Sequence, residues 1–268
     1  MGSQEIALRL REFWKGEGCP IIPPYGAIAA GGLTPDLFFG ALGPEPWRSC
    51  QEVTTLDSSA VRYNGDPLRP ILDHHLQVAL QEQSGELREV FTESLRMLGI
   101  QARDRDVRFV ACSGEDAGIA VRAPCWHVTV DGIEVGSVFH LQRVGGVDVD
   151  RVPVIADYSL GRLAIVGAAY AGKETPTERD RQTSTYVLAQ ANPERTRLLF
   201  SLHADECEGA LATGLFFPAY DHVLACLSLL EMFDACSDLS ARERAVRTSR
   251  ISDLANRCAK AYLEGANA

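Results

Sequence analysis

Residues 53–78 read VTTLDSSAVRYNGDPLRPILDHHLQV, two limbs around a polar turn. The outgoing limb, Val53-Thr54-Thr55-Leu56-Asp57-Ser58-Ser59, carries no cation. The turn carries Arg62-Tyr63-Asn64-Gly65-Asp66-Pro67-Leu68-Arg69, and the return limb continues with Asp73-His74-His75-Leu76-Gln77-Val78. Gly and Pro within a polar cluster punctuate two extended runs, which is the pattern of a hairpin. Its charged chemistry sits on the turn and the return strand.

Outward from this hairpin the pattern alternates between helix and strand. Ile6, Leu10, Phe13 and Trp14 recur at helical spacing before Gly16 and Gly18, predicting a short amphipathic helix. A second helix is expected over 35–42 and a stronger one over 86–97, closed by Gly99. The β-branched and aromatic runs at 107–110, 126–130, 133–138 and 140–144 predict strands, with Asp131-Gly132 as a two-residue hairpin turn. Helix is expected again over 157–169, then a polar linker at 172–182 and helices at about 183–211, 219–234 and 240–264. The expected fold is α+β: a mainly antiparallel sheet domain over 1–171 and a helical domain over 183–268.

At 268 residues with 46% hydrophobic content, the chain can bury one large core. A net charge of −10 argues against broad nucleic-acid binding, which needs Lys and Arg to neutralise phosphates. No apolar run reaches the ~18–20 residues of a bilayer span and no signal-like segment opens the chain, so a cytoplasmic protein is expected. The eight cysteines show no Cys-x-x-Cys spacing, and buried free thiols are expected rather than disulfides or a zinc ribbon.

The hairpin resembles the second signature motif of class II aminoacyl-tRNA synthetases, in particular the α subunit of bacterial heterotetrameric glycyl-tRNA synthetase. There it runs roughly Arg-Arg-Pro-Thr-Asp-Gly-Arg-Tyr-Gly-Glu-Asn-Pro-Asn-Arg and then Gln-Phe-Gln-Val. Further matches are Ala41-Leu42-Gly43-Pro44-Glu45-Pro46-Trp47, Glu93-Ser94-Leu95-Arg96-Met97-Leu98-Gly99-Ile100, Tyr158-Ser159-Leu160-Gly161-Arg162-Leu163 and Pro218-Ala219-Tyr220-Asp221. The resemblance implies a class II synthetase-like antiparallel sheet flanked by helices, with a C-terminal helical domain. It also implies an α-subunit homodimer, and tRNA contacts that another chain supplies.

The resemblance further implies ATP and Mg2+, since a synthetase activates a carboxylate by attack on the α-phosphorus of ATP. Arg162 takes the place of the ATP-binding arginine of the third motif, Arg62 and Arg69 match the hairpin-loop arginines, and Gln77 matches the second glutamine of Gln-Phe-Gln-Val. The paired arginines of the outgoing limb, however, fall on Leu56 and Asp57, and losing such a contact costs ~3 kcal/mol or more of transition-state stabilisation. Two acidic positions become Ile155 and Gly161, for which Asp148 and Asp157 are candidate substitutes.

The substrate strand departs too. Where the family has an acid expected to receive the glycine ammonium, this chain has His127, and a tryptophan becomes Arg122. His75 replaces a glutamine and His140 a tyrosine. His127 and His75 are therefore candidates for proton transfer, with Arg122, His127, His140 and Gln142 as substrate-binding candidates. Alternatively the histidines bind a metal such as zinc with Cys125 nearby, or are ordinary hydrogen-bonded side chains. The register around Asp131-Gly132 is expected to set His127 opposite Gly136. Three functions are compatible with these residues: an enzyme activating a small carboxylate other than free glycine, a non-catalytic synthetase-like partner protein, and a glycine-tRNA ligase α subunit.

Overall fold

The hairpin forms β1 (Arg48–Leu56) and β2 (Leu72–Leu80), paired antiparallel from Arg48 with Leu80 to Leu56 with Leu72. The computed structural model describes residues 2–30, 33–56, 71–81, 87–116, 119, 121–167, 177–236 and 239–266; Asp57, Arg62 and Arg69 lie outside this set. Six further strands complete one antiparallel sheet: β3 (Val107–Asp116), β4 (Val121–Val130), β5 (Ile133–His140), β6 (Arg143–Val144), β7 (Val147–Asp148) and β8 (Val154–Ser159). The order is β1-β2-β8-β5-β4-β6-β7, with β3 on the free side of β4.

The strand β8 corrects the helix expected from residue 157. Val154, Ile155, Ala156, Tyr158 and Ser159 are buried, because β8 lies between β2 and β5. A short buried run has no periodicity that separates strand from helix, and only its neighbours decide. Helix begins at Leu160 instead.

Three helices cover one face of the sheet: α1 (Ser3–Gly16), α3 (Leu87–Met97) and α4 (Leu160–Gly167). Ile6, Leu10 and Trp14 of α1, Phe91 and Leu95 of α3, and Leu163 of α4 pack there against Leu76, Val78, Val128, Val138 and Tyr158. Tyr158 stacks on Phe91 at 4.3 Å. The Ser94 hydroxyl donates to the Phe91 carbonyl at 2.7 Å, leaving its oxygen to accept from the Tyr158 hydroxyl at 2.9 Å. Ser94→Ala would strand the buried phenol, and urea denaturation is expected to show a loss of ~1–3 kcal/mol; a change below ~0.5 kcal/mol would mean that the phenol finds another partner.

The opposite face is apolar at one end, where Ala79, Ala123 and Ile155 pack with α2 (Pro35–Leu42) and the C-terminal helices α6 (Pro193–Ala212), α7 (Phe216–Cys236) and α8 (Ala241–Ala266). Toward the other end it turns polar. Before these helices, α5 (Glu178–Thr185) and a π-helical turn (Tyr186–Gln190) precede α6. The linker expected through 182 is helical from Glu178, because Thr177 and Asp180 form a capping box. By length and composition α7 could cross a membrane, contrary to the absence of any such run expected from the sequence. Here Tyr220, Val223, Leu224, Leu227, Leu230 and Phe233 bury it in the core.

Candidate active site

Side chains alternate across a strand, so residue parity selects the face. On the polar face one row crosses five strands: His127 opposite Ser137, Ser137 opposite Asp157, Asp157 opposite Gln77, and Gln77 opposite Gln51. His75 lies in the next row, opposite Ser159, and Asp73 one step beyond. The expected partner of His127 was Gly136. A bulge places Thr129 opposite Glu134 but Val128 opposite Gly136, so the pairing shifts by one and His127 meets Ser137.

His75 is clasped by two carboxylates. Its Nδ1 lies 2.8 Å from Asp157 Oδ2 and its Nε2 3.2 Å from Asp73 Oδ2. Burial alone would push its pKa down, yet the charge and hydrogen bond of Asp157, then those of Asp73, outweigh this and push it up to about 10. The imidazole is thus a fixed cation. Asp73 is held below its ordinary value: burial opposes this, but His75, Arg162 and the Ser159 hydroxyl prevail. That hydroxyl donates to both Asp73 oxygens, at 3.1 and 3.0 Å.

Arg162, in the first turn of α4, holds its Nε 3.9 Å from Asp73 Oδ2. Three buried polar atoms on or beside this face make no hydrogen bond among the described residues: Arg162 Nε, Gln77 Oε1 and Asp157 Oδ1. Such atoms are costly unless a ligand or solvent satisfies them. Gln51 instead is fully engaged, donating to the Pro23 carbonyl at 3.0 Å and to Asp36 at 2.9 Å while accepting from Thr34.

The four charges of this cluster cancel: Asp73 and Asp157 supply two negative charges, His75 and Arg162 two positive ones. A divalent cation therefore meets no net negative charge. Ile155 is fully buried in the apolar core, and Gly161 offers no ligand. Of the two candidate substitutes, Asp157 is on this face and engaged by His75, whereas Asp148 is exposed and pairs with Arg143 at 2.8 Å. Among the described residues this donor set does not fit magnesium. Arg162 does fit an anionic group such as a phosphate or carboxylate. At the hairpin, Leu56 is buried against Ile71, Leu72 and Val187, so this position serves packing.

The remaining candidates are dispersed. His140 has the opposite parity to Ser137 and Phe139, and its ring lies against Trp126 at 5.5 Å, beneath which Arg88 stacks at 4.4 Å. Burial, then the Arg88 charge, lowers its pKa. Gln142 is exposed beyond the end of β5. Arg122 pairs along the backbone with Glu115 and Arg143. Asp73 and Ser159 were missed as site residues, although Asp73 stands two residues before His75 and so shares its face in any strand.

Not all the cysteines are free thiols. Cys112 and Cys125 are directly opposite across β3 and β4, with Cα atoms 5.1 Å apart, and form a disulfide. Nothing in their spacing reveals a pair that only strand register creates. Cys19, Cys50, Cys207, Cys226 and Cys258 are buried and free, and Cys236 is half-buried.

Comparison with known proteins agrees with the geometry. The profile of the family described as "Glycyl-tRNA synthetase alpha subunit" matches residues 3–267. A relative from Coprothermobacter proteolyticus, named glycine–tRNA ligase alpha subunit, is 31% identical over 279 residues, covering 98% of this chain and 95% of the relative. Together with the antiparallel sheet, its helical layer and the C-terminal helices, these similarities establish that the chain belongs to the glycyl-tRNA synthetase α-subunit family.

Proposed function

We propose that the polar face binds a small carboxylic acid other than free glycine and presents it for ATP-dependent activation. The observation that carries this reading is the cancelled charge of Asp73, His75, Asp157 and Arg162 beside Arg162 Nε and Gln77 Oε1, neither of which makes a hydrogen bond among the described residues. A free ammonium gains little where the acids already hold a fixed cation, whereas a carboxylate or phosphate oxygen gains a charge-assisted hydrogen bond from Arg162. Gln77 accepts from a neutral donor on the same ligand. ATP, when bound, supplies the adenylyl group, with pyrophosphate leaving. The chain's own part is to orient the acid on the sheet and to hold the anionic oxygens at Arg162, whose other neighbour, Asp73, also takes the Ser159 hydroxyl and the His75 imidazole.

Pyrophosphate exchange with a panel of small acids tests this. Exchange is expected with an acid other than glycine, and Arg162→Gln is expected to reduce it ~100-fold or more, the cost of losing a charged contact to a developing anion. Exchange that requires glycine would return the chain to the ligase reaction named for its relative. No exchange together with no ATP binding would favour a non-catalytic partner protein, a reading that the burial of Leu56 and Ile155 supports. We further propose a cytoplasmic homodimer whose tRNA contacts come from another chain; light scattering on the purified protein would expose a monomer.

A further inference from the structure

At the far edge of the polar face stand two cysteines and a histidine that the proposed reaction does not use together. Ligand atoms of Cys112, Cys125 and His127 all lie within 4.8 Å of one another, and all three residues are half-buried. Cys112 and Cys125 occupy facing positions of β3 and β4, and His127, two residues after Cys125, projects from the same face. The Glu134 carboxylate lies 2.9 Å from His127 Nδ1. A carboxylate there keeps a proton on Nδ1 and leaves Nε2 with its lone pair, the arrangement by which an acid hydrogen-bonded to the far nitrogen prepares a histidine to bind a metal.

We propose that the reduced chain binds one Zn2+ through Cys112, Cys125 and His127, and that the Cys112–Cys125 disulfide is the metal-free, oxidised form of the same site. Two thiolates and one imidazole suit zinc, with a fourth position left for water or a ligand. Binding releases two thiol protons: Zn2+ and two R–SH give Zn(SR)2 and two H+. The sulfurs, bonded in the disulfide, need a separation of only ~3.8 Å at the edge of a zinc tetrahedron. That change lies within the reach of rotation about the two Cα–Cβ bonds on a sheet margin.

Oxidation closes the site. A hydroperoxide takes up the two electrons: one thiolate attacks its O–O bond to form a sulfenic acid and an alcohol or water, and the second thiol displaces water to form the disulfide. A small dithiol returns both sulfurs to thiols, becoming a disulfide itself. Half-burial of both cysteines allows these reagents access, in contrast to the fully buried Cys50, Cys207, Cys226 and Cys258. Because His127 belongs to the row that reaches Ser137 and Asp157, the open zinc position faces the same sheet surface as the candidate active site. The redox state of β3 and β4 thereby sets whether that surface carries a Lewis acid at its margin.

The test uses the full chain reduced with a phosphine, desalted without oxygen and titrated with Zn2+ against a chromophoric chelator, and in parallel with Co2+. One Zn2+ per chain is expected, and Co2+ should show thiolate charge-transfer bands and the intense visible bands of a tetrahedral site. Peroxide pretreatment should abolish both and protect two cysteines from alkylation in mass spectrometry. Cys112→Ser and Cys125→Ser should each weaken zinc by ~100-fold or more, His127→Gln should remove the imidazole contribution while leaving both thiols, and Glu134→Gln should weaken binding ~10-fold. The proposal is overturned if the reduced chain binds no zinc, if the oxidised chain binds it equally, or if the serine variants bind as the parent does, which would assign the metal to other thiols. Alkylation of all eight cysteines after peroxide would overturn the oxidised form.

Discussion

His75→Gln is expected to lower the stability of the protein by about 3 kcal/mol at pH 6 and to flatten its dependence on alkaline pH. Both effects follow from a cation held between Asp157 and Asp73, whose side chains are 13% and 6% exposed. Removing one partner leaves buried carboxylates without compensation, a loss of ~3–5 kcal/mol in comparable cases. Because the folded pKa of His75, about 10, exceeds the unfolded value near ~6.5, its contribution is fully present below pH ~6.5 and disappears as pH rises through about 10. Asp73, held low, contributes above its unfolded value near ~3.9, and that contribution is lost as pH falls through the depressed folded value. Stability should therefore be greatest between pH ~4 and ~6.5. The buried thiols of Cys19 and Cys50, pushed up to about 11 and about 12 chiefly by burial, also weaken the fold above pH ~8.5, but they do so equally in parent and variant. The difference between the two urea midpoints across pH 5 to 10 isolates His75. Parallel curves would show that the clasp carries no net charge coupling.

Gly136→Ala should be the most damaging change of a single methyl group. Gly136 faces Tyr158 across β5 and β8, and a Cβ built on it would lie 2.1 Å from the Asp157 carbonyl oxygen and 3.3 Å from the Phe91 ring. The first neighbour is backbone and cannot rotate away, so β8 must shift or the pair must open. A loss of ~3 kcal/mol or more is expected, at the upper end of overpacking costs. Displacing Asp157 also loosens its 2.8 Å contact with His75, so the alkaline stability limb should flatten in this variant as well. Denaturation titrations would show it; a cost under ~1 kcal/mol would mean that the sheet yields at this point.

Much of the scaffold was readable beforehand. The 3.6-residue spacing of Ile6, Leu10 and Trp14 specified α1, and Gly99, at φ +85°, marked the end of α3. Asp131 and Gly132, at φ 50° and 82°, form the turn that their identity demands. These signals are local, arising from steric preferences and from one apolar face per element. The bulge that moved His127 was not readable, because Val135 differs in no local way from its neighbours; its place reflects how β5 fits against β8 and the helices beneath.

The residues by themselves determined the family, the antiparallel fold and the absence of a cation from the outgoing limb of the hairpin, since motif order and alternation survive in a linear string. Tertiary structure alone decided which charges meet. His75 and Asp157 are 82 residues apart and come together because β8 inserts beside β2. Strand parity tells which residues of one strand share a face, but the choice of neighbouring strand and register is made by long-range burial of the core. That choice joined two carboxylates, a histidine and Arg162 into a neutral cluster, set Cys112 against Cys125, and turned His140 to the opposite side.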